Sequence, residues 1–341
     1  MILGLATIVG TVSAAVLTYY GKITGTVNVS QSVLVDGLAY PESKDITYTF
    51  NGVGGGTYTS YHTLKNQAPV PAIVRMDTSV SAVDSEGHSI SPEGVTVTYQ
   101  LVTTPFGKRG ATAEWTTEQA YSGEYSVKMH IPQIPEGTYN IGALVQIPIT
   151  PVQLDGVPSF DTMTFKVKGD TDVATPYYQL KIDLRSDDFG RFVVLTPAEY
   201  DLVDGEWLTG VITADSWYCW SFAGEGLEGP KSLAEWHDEF TDGDGVLDYP
   251  NYRVLFVNVQ YGWMPTTSEG TVYVDYVTYG DTIWDLEWDA LQSVDLTAIW
   301  NDNYVVIPSD YEILGFTITV SLAINAQAGT YTIETRVTAI P

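Results

Sequence analysis

Four histidines, His62, His88, His130 and His237, lie in separate stretches of the chain, and the single cysteine is Cys219. No His-Glu-x-x-His or paired-histidine spacing occurs, so zinc chemistry lacks a ligand set. A Gly-x-Ser-x-Gly elbow and a phosphate-cradling glycine loop are also absent, and Asn51–Gly56 reads as a solvated turn. Carboxylates are too numerous for any pair to point to an acid and a nucleophile. With 42 Asp and Glu in all, neighbours such as Asp187-Asp188 and Asp238-Glu239 arise by chance and form solvated faces. The sequence therefore predicts no enzyme.

Two patterns could bind rather than catalyse. Asp242, Asp244 and Asp248, spaced by glycines in Thr241-Asp-Gly-Asp-Gly-Val-Leu-Asp248, suit a tight loop whose oxygens converge on a hard cation such as Ca2+. The spacing lacks the twelfth-position Glu of an EF-hand, and a plain acidic turn is the alternative. Trp207, Trp217, Trp220, Trp236 and Trp263 could present aromatic faces to pyranose rings, with Trp207, Trp217 and Trp263 the candidates for carbohydrate binding. Burial in a β core is the competing reading. Asn28-Val-Ser30 is an N-glycosylation sequon.

The elements that carry these residues are predicted to be strands. Hydrophobic residues make up 44% and aromatics 12% of 341 residues, with 23 Tyr and 9 Trp among Thr and Val, a composition suited to pleated surfaces. The length accommodates two cores. A net charge of −27 disfavours nucleic acid and anionic membrane surfaces and favours divalent cations. One cysteine excludes an intrachain disulfide framework, so stability must come from cores, ions or assembly.

Residues 1–14 are apolar, end in the small residues Val12-Ser13-Ala14, and read as the remnant of a signal peptide lacking its basic region. A retained, buried N-terminal element is the alternative. Directly after them, Ala15, Val16, Leu17, Thr18, Tyr19, Tyr20 and Ile23 form a β arm over 15–24, which Gly21 and Gly25 set off from the following strand. Alternation then predicts strands at Thr26–Val35, Asp45–Phe50 and Tyr58–Leu64, a pair at Ile73–Val80 and Val95–Val102, and a hairpin from Phe316 to Val337. Ser232 capping ahead of Glu235 predicts one short helix over Ser232–Glu239.

The leader, the apolar arm and the strand Gly25-Thr-Val-Asn-Val-Ser-Gln-Ser-Val-Leu-Val-Asp-Gly37 resemble archaeal members of the camelysin/TasA-like family of extracellular fibre proteins. The segment His62–Thr78, with its Leu-Lys-Asn turn, resembles that family too. Camelysin lends its name to a proposed peptidase family, but the ligands for such a metal are missing here. The resemblance implies a secreted filament subunit on the cell surface. Its residues 15–24 would complete the sheet of the next copy, giving a head-to-tail homopolymer for cell adhesion or a biofilm matrix.

The pair Glu118–Met129 and Gly270–Asp281 resembles the first and last strands of carbohydrate-binding-module jelly rolls of the galactose-binding-like class. Those strands are neighbours in that fold, and a domain whose ends meet can be inserted at a loop tip. The expected architecture is all-β: a jelly-roll β-sandwich host, 25–104 plus 282–341, with a second jelly roll, 105–281, inserted. The resemblance further implies a structural calcium held by Glu118, Gly123 and Asp275. It also sets a second expectation beside the filament, a secreted or cell-surface protein that binds polysaccharide. No membrane partner is expected for the mature form.

Overall fold

A computed structural model describes residues 33–37, 45–67, 72–133, 141–169, 175–183, 192–197, 205–221, 228–243, 249–262, 269–296, 304–307 and 313–340. The arm 15–24, Asn28, Trp263, Asp244 and Asp248 lie outside these residues. The described chain is an all-β protein of four antiparallel sheets, arranged around two hydrophobic cores.

Sheet A has the order β1 (Val33–Val35), β3 (Thr57–Asn66), β21 (Ile313–Leu322), β5 (Val95–Val102), β19 (Ser293–Asp295). Sheet B has the order β2 (Asp45–Gly52), β22 (Gly329–Ile340), β4 (Ala72–Val83), β20 (Tyr304–Ile307). In chain order these strands alternate between the two sheets, except that β5 and β19 are both in sheet A and pair with each other. Period-two alternation explains the packing between the sheets. On β21, Phe316, Ile318, Val320 and Leu322 point to the core and are almost fully buried, while the intervening Thr317, Thr319 and Ser321 are not. Each such side chain contributes about 1.5–3 kcal/mol by leaving water.

The predicted pairings differ from the observed ones. Strands β4 and β5 lie in different sheets, as do β21 and β22, so neither is a hairpin. Apolar alternation gives each strand its buried face but says nothing about which sheet it joins. Here the turn after Leu322 carries the chain across the sandwich instead of back along its own sheet.

Sheets C and D draw their strands from 104–284 alone. Sheet C has the order β15 (Glu228–Lys231), β14 (Trp217–Ser221), β12 (Phe192–Pro197), β11 (Tyr177–Asp183), β16 (Arg253–Tyr261), β9 (Gly142–Val152), β6 (Thr104–Lys108). Sheet D has the order β13 (Leu208–Val211), β10 (Thr164–Gly169), β17 (Gly270–Tyr279), β8 (Ser126–Ile131), β7 (Thr112–Thr116), and β18 (Thr282–Trp284) adds to β17. Strands β8 and β17 are antiparallel neighbours with Gly270 opposite Ile131. Because β18 pairs with β17 and Leu286 is buried in the core between sheets C and D, residues 282–286 belong with these sheets and not with A and B.

Helix α1 (Leu233–Thr241) begins with a capping box. Ser232 Oγ accepts the Glu235 N–H at 3.2 Å, and Glu235 Oε2 accepts the Ser232 N–H at 2.8 Å. Its buried face, Leu233, Trp236 and Phe240, lies in the core between sheets C and D, which also holds Cys219. Phe256 and Leu255 of β16 instead join the core between sheets A and B.

Candidate functional site

Strand β17 carries an extra residue opposite β10: Thr164 pairs with Thr278, but Lys166 pairs with Asp275. The bulge puts Tyr276 at φ +50° and turns the Asp275 side chain out of solvent altogether. Both carboxylate oxygens then receive backbone amides. Oδ2 accepts from Tyr121 N at 2.9 Å and Ser122 N at 3.2 Å, and Oδ1 accepts from Tyr276 N at 2.6 Å and Leu286 N at 3.2 Å. Burial pushes the Asp275 carboxyl above its ordinary range, against the pull of these four amides.

Two more carboxylates close on the same loop. Ser122 Oγ donates to Asp285 Oδ2 at 3.0 Å, and Glu287 Oε1 accepts from Glu124 N at 2.8 Å and Tyr125 N at 3.3 Å. Gly123 lies at φ +61°, and a Cβ there would come 1.6 Å from Glu287 Oε1. Its glycine is thus required by backbone conformation and by the approach of Glu287.

These residues do not fit a calcium ion as the jelly-roll resemblance implies. Asp275 offers its oxygens to N–H donors, which repel a cation. Glu118 faces elsewhere: its carboxylate accepts from Lys128 Nζ at 2.8 and 2.9 Å and from Tyr273 OH at 2.9 Å, and the Lys128 bond holds its pKa below the usual range. The Gly123 loop closes on Glu287, which accepts the next two amides. Among the described residues no group of three or more His, Cys, Asp or Glu could hold an ion.

Of the acidic loop after α1, Asp242 is exposed at the helix C-terminus, where its N–H donates to Asp238 O at 2.8 Å. Tyr249 N donates to Phe240 O at 2.9 Å, so the two ends of this loop meet.

The tryptophans separate into surface and core. Trp217 is fully buried, with Nε1 donating to Asp215 Oδ1 at 2.9 Å, and Trp236 is fully buried with Nε1 on Trp217 O at 3.0 Å. Trp217 is therefore a core residue and no stacking platform for a sugar. Trp207 is half-buried and meets Tyr121 edge-on at 5.8 Å, while Tyr121 meets Tyr276 at 5.7 Å. Lys166 Nζ sits 4.7 Å from the centre of the Tyr121 ring. Sequence reasoning missed Tyr121, Tyr276, Asp285 and Glu287. The signal for the last two was the alternation Asp285-Leu-Glu-Trp288, continuing the rhythm of β18.

Sheet A ends on both sides in strands of three residues, β1 and β19, beside neighbours of ten and eight. On the β1 side, the Asp36 side chain accepts Thr63 N at 2.8 Å and lies 2.9 Å from His62 Nδ1. Farther along, Tyr48 OH donates to Thr59 O at 3.4 Å and Phe50 stacks on Tyr58 at 4.2 Å. Side chains of β2 thus take up part of that edge. On the β19 side, Asp295 opposite Gln100 is the last pair, and from Tyr99 back to Val95 no strand lies beside β5 among the described residues. The inward-facing Val95, Val97 and Tyr99 pack on the core but remain half-exposed.

No protein-family model matches the chain, and no curated protein matches it. Solved structures with a detectable likeness include infectious bursal disease virus, Gx strain, at 9% identity over 93% of this chain and 80% of that one, with a TM-score of 0.15. The Gt strain gives 9% identity over 95% and 85% with a TM-score of 0.15, and the VP2 subviral particle of that virus gives 10% over 94% and 84% with a TM-score of 0.14. Likenesses at this level carry no argument about fold or function.

Proposed function

We propose that the chain is the subunit of an extracellular filament, polymerised head to tail by donation of the N-terminal arm 15–24 to the next copy. One observation supports this reading most: a sandwich whose sheet A ends in three-residue strands, leaving an edge of a longer strand unpaired among the described residues. An exposed edge is a hazard unless it is used, and adding a strand satisfies its amides and fixes one register. Such a contact is heterologous and repeats without closing, so it builds a filament. The resemblance to TasA-like fibre proteins points the same way. The test is electron microscopy of the exported protein with and without residues 15–24. Fibres from the intact protein and a folded, non-polymerising truncation are expected; fibres of normal diameter from the truncation would sink donor-strand assembly.

A second reading, polysaccharide binding, is favoured by the surface cluster Tyr121, Trp207 and Tyr276 with Lys166 beside it. Aromatic faces flanked by hydrogen-bond donors suit pyranose rings. The two readings are compatible, since the cluster lies on sheet D and the proposed polymer contact on sheet A.

A further inference from the structure

Resting on the filament reading, we infer that the acceptor for the donated arm is the outer edge of β5, over Val95–Tyr99, and that the incoming strand continues sheet A in line with β19. The backbone directions on β5 carry the first step. Ala323 N donates to Gly94 O at 2.8 Å, and Thr103 N donates to Gln292 O at 3.0 Å. With the unbroken β5–β21 register, even-numbered residues therefore bond toward β21 and odd-numbered ones point outward. The outward groups of Val97 and Tyr99 are those that a new strand would engage.

Side chains carry the second step. The same odd-numbered residues face the core, and the row Val95, Val97, Tyr99 is only half-buried, whereas Leu101, beside Val294 of β19, is fully covered. An added strand would do for Val95, Val97 and Tyr99 what β19 does for Leu101. The rival edge, on β3, is partly occupied: Tyr48 OH donates to Thr59 O, Phe50 stacks on Tyr58, and the Asp36 carboxylate accepts from Thr63 N, so a strand added there would have to displace these contacts.

The third step is reach. The described chain begins in β1, at the edge of sheet A opposite β19, and 32 residues precede Val33. Between the arm and β1 lie residues 25–32, eight residues that can span at most about 26 Å at ~3.3 Å per residue. Sheet A, five strands wide, spans roughly 19 Å at ~4.8 Å per step. A tether of that length leaves the arm able to pair beyond the edge to which it is attached. Donor side and acceptor side are then opposite edges of one sheet, which makes the contact propagate.

The test is disulfide trapping in fibres of the full chain, with Thr98→Cys, on the exposed face of β5, combined with one cysteine at each arm position from 16 to 23 in turn. Oxidised fibres are expected to give covalent ladders at alternate arm positions, and none when Thr59→Cys on β3 replaces Thr98→Cys. Ladders with Thr59→Cys alone, or with neither, would overturn the β5 assignment while leaving the filament reading intact. Should the parent chain form no fibres, that reading fails and this one with it. Val97→Pro supplies an independent arm: it deletes one outward N–H and no bond to β21, and edge positions tolerate proline in this orientation. An unchanged melting temperature with loss of fibres is expected, and a folded Val97→Pro protein that polymerises normally contradicts the proposal. If that variant does not fold, the cysteine series still decides.

Discussion

Thr103 and Gln292 are 189 residues apart in sequence, yet the Thr103 N–H donates to the Gln292 carbonyl at 3.0 Å and its hydroxyl to the same oxygen at 3.4 Å. The chain leaves sheet A beside the point where it returns, and sheets C and D are built entirely within that excursion. A short turn joining Thr103 to Gln292 should therefore restore an ordinary hairpin. The shortened protein is expected to keep a β-type circular dichroism spectrum and a cooperative melt, at a lower temperature because Leu255 and Phe256 no longer cover the smaller core. Loss of all secondary structure would mean that sheets A and B do not fold without C and D.

Asp275→Asn is expected to destabilise sheets C and D by several kcal/mol. The amide nitrogen would face two of the four N–H groups that the carboxylate now accepts, and each buried donor left without an acceptor costs about 1–3 kcal/mol. Hydrogen exchange at Tyr121, Ser122 and Leu286 is the local readout. In the parent protein those amides should stay equally protected with calcium or with chelator. A chelator-induced loss of protection would show that an ion holds the loop after all.

The two candidate tryptophans should behave oppositely. Trp217→Ala empties a fully buried site and is expected to cost about 3–5 kcal/mol. Trp207→Ala removes a half-buried ring and should cost much less, while weakening any retention on a polysaccharide affinity gel. Equal losses of stability would contradict the division into core and surface.

Alkaline pH should unfold the protein before its exposed tyrosines alone would. Burial pushes Tyr261 up to about 12 and raises Tyr178, Tyr252 and Tyr279 as well. The folded state then holds these protons more tightly than the unfolded chain, whose phenols titrate near 10. This contribution is complete below pH ~10 and is lost as the pH rises from 10 toward 12. The part of the phenolate absorbance that belongs to the buried tyrosines should appear together with the fall in melting temperature; titration of all the tyrosines before any loss of structure would refute the burial argument.

Much of this fold was legible in the residues. Alternation located β2–β5, β21 and β22, Ser232 and Glu235 announced the single described α-helix, and the pairing of Gly270–Tyr279 with Ser126–Ile131 agrees with the likeness of the two stretches to neighbouring strands. Strands β10–β16 were not legible: β11, for one, is buried on both faces and shows no alternation. Sheet membership was not legible, because a buried face on Phe316–Leu322 is the same whether its partner is Tyr331 or Tyr99. The surroundings of Asp275 were hidden for a related reason. A bulge at Tyr276 decides which way the carboxylate points, and no residue type announces it. Asp285 and Glu287, assigned from sequence to the outer segment, are drawn inward by β18, which is only three residues long.

The place of β21 and β22 in the order of synthesis has its own consequence. They are inner strands of sheets A and B, between β3 and β5 in one and β2 and β4 in the other, and both follow the excursion through sheets C and D. At ~5–20 residues per second, the stretch from Thr103 to Gln292, a separation of 189 residues, takes roughly 10–40 s to translate. Through that interval β3 and β5, like β2 and β4, lack the strand that joins them, so sheets A and B close only after sheets C and D have been synthesised.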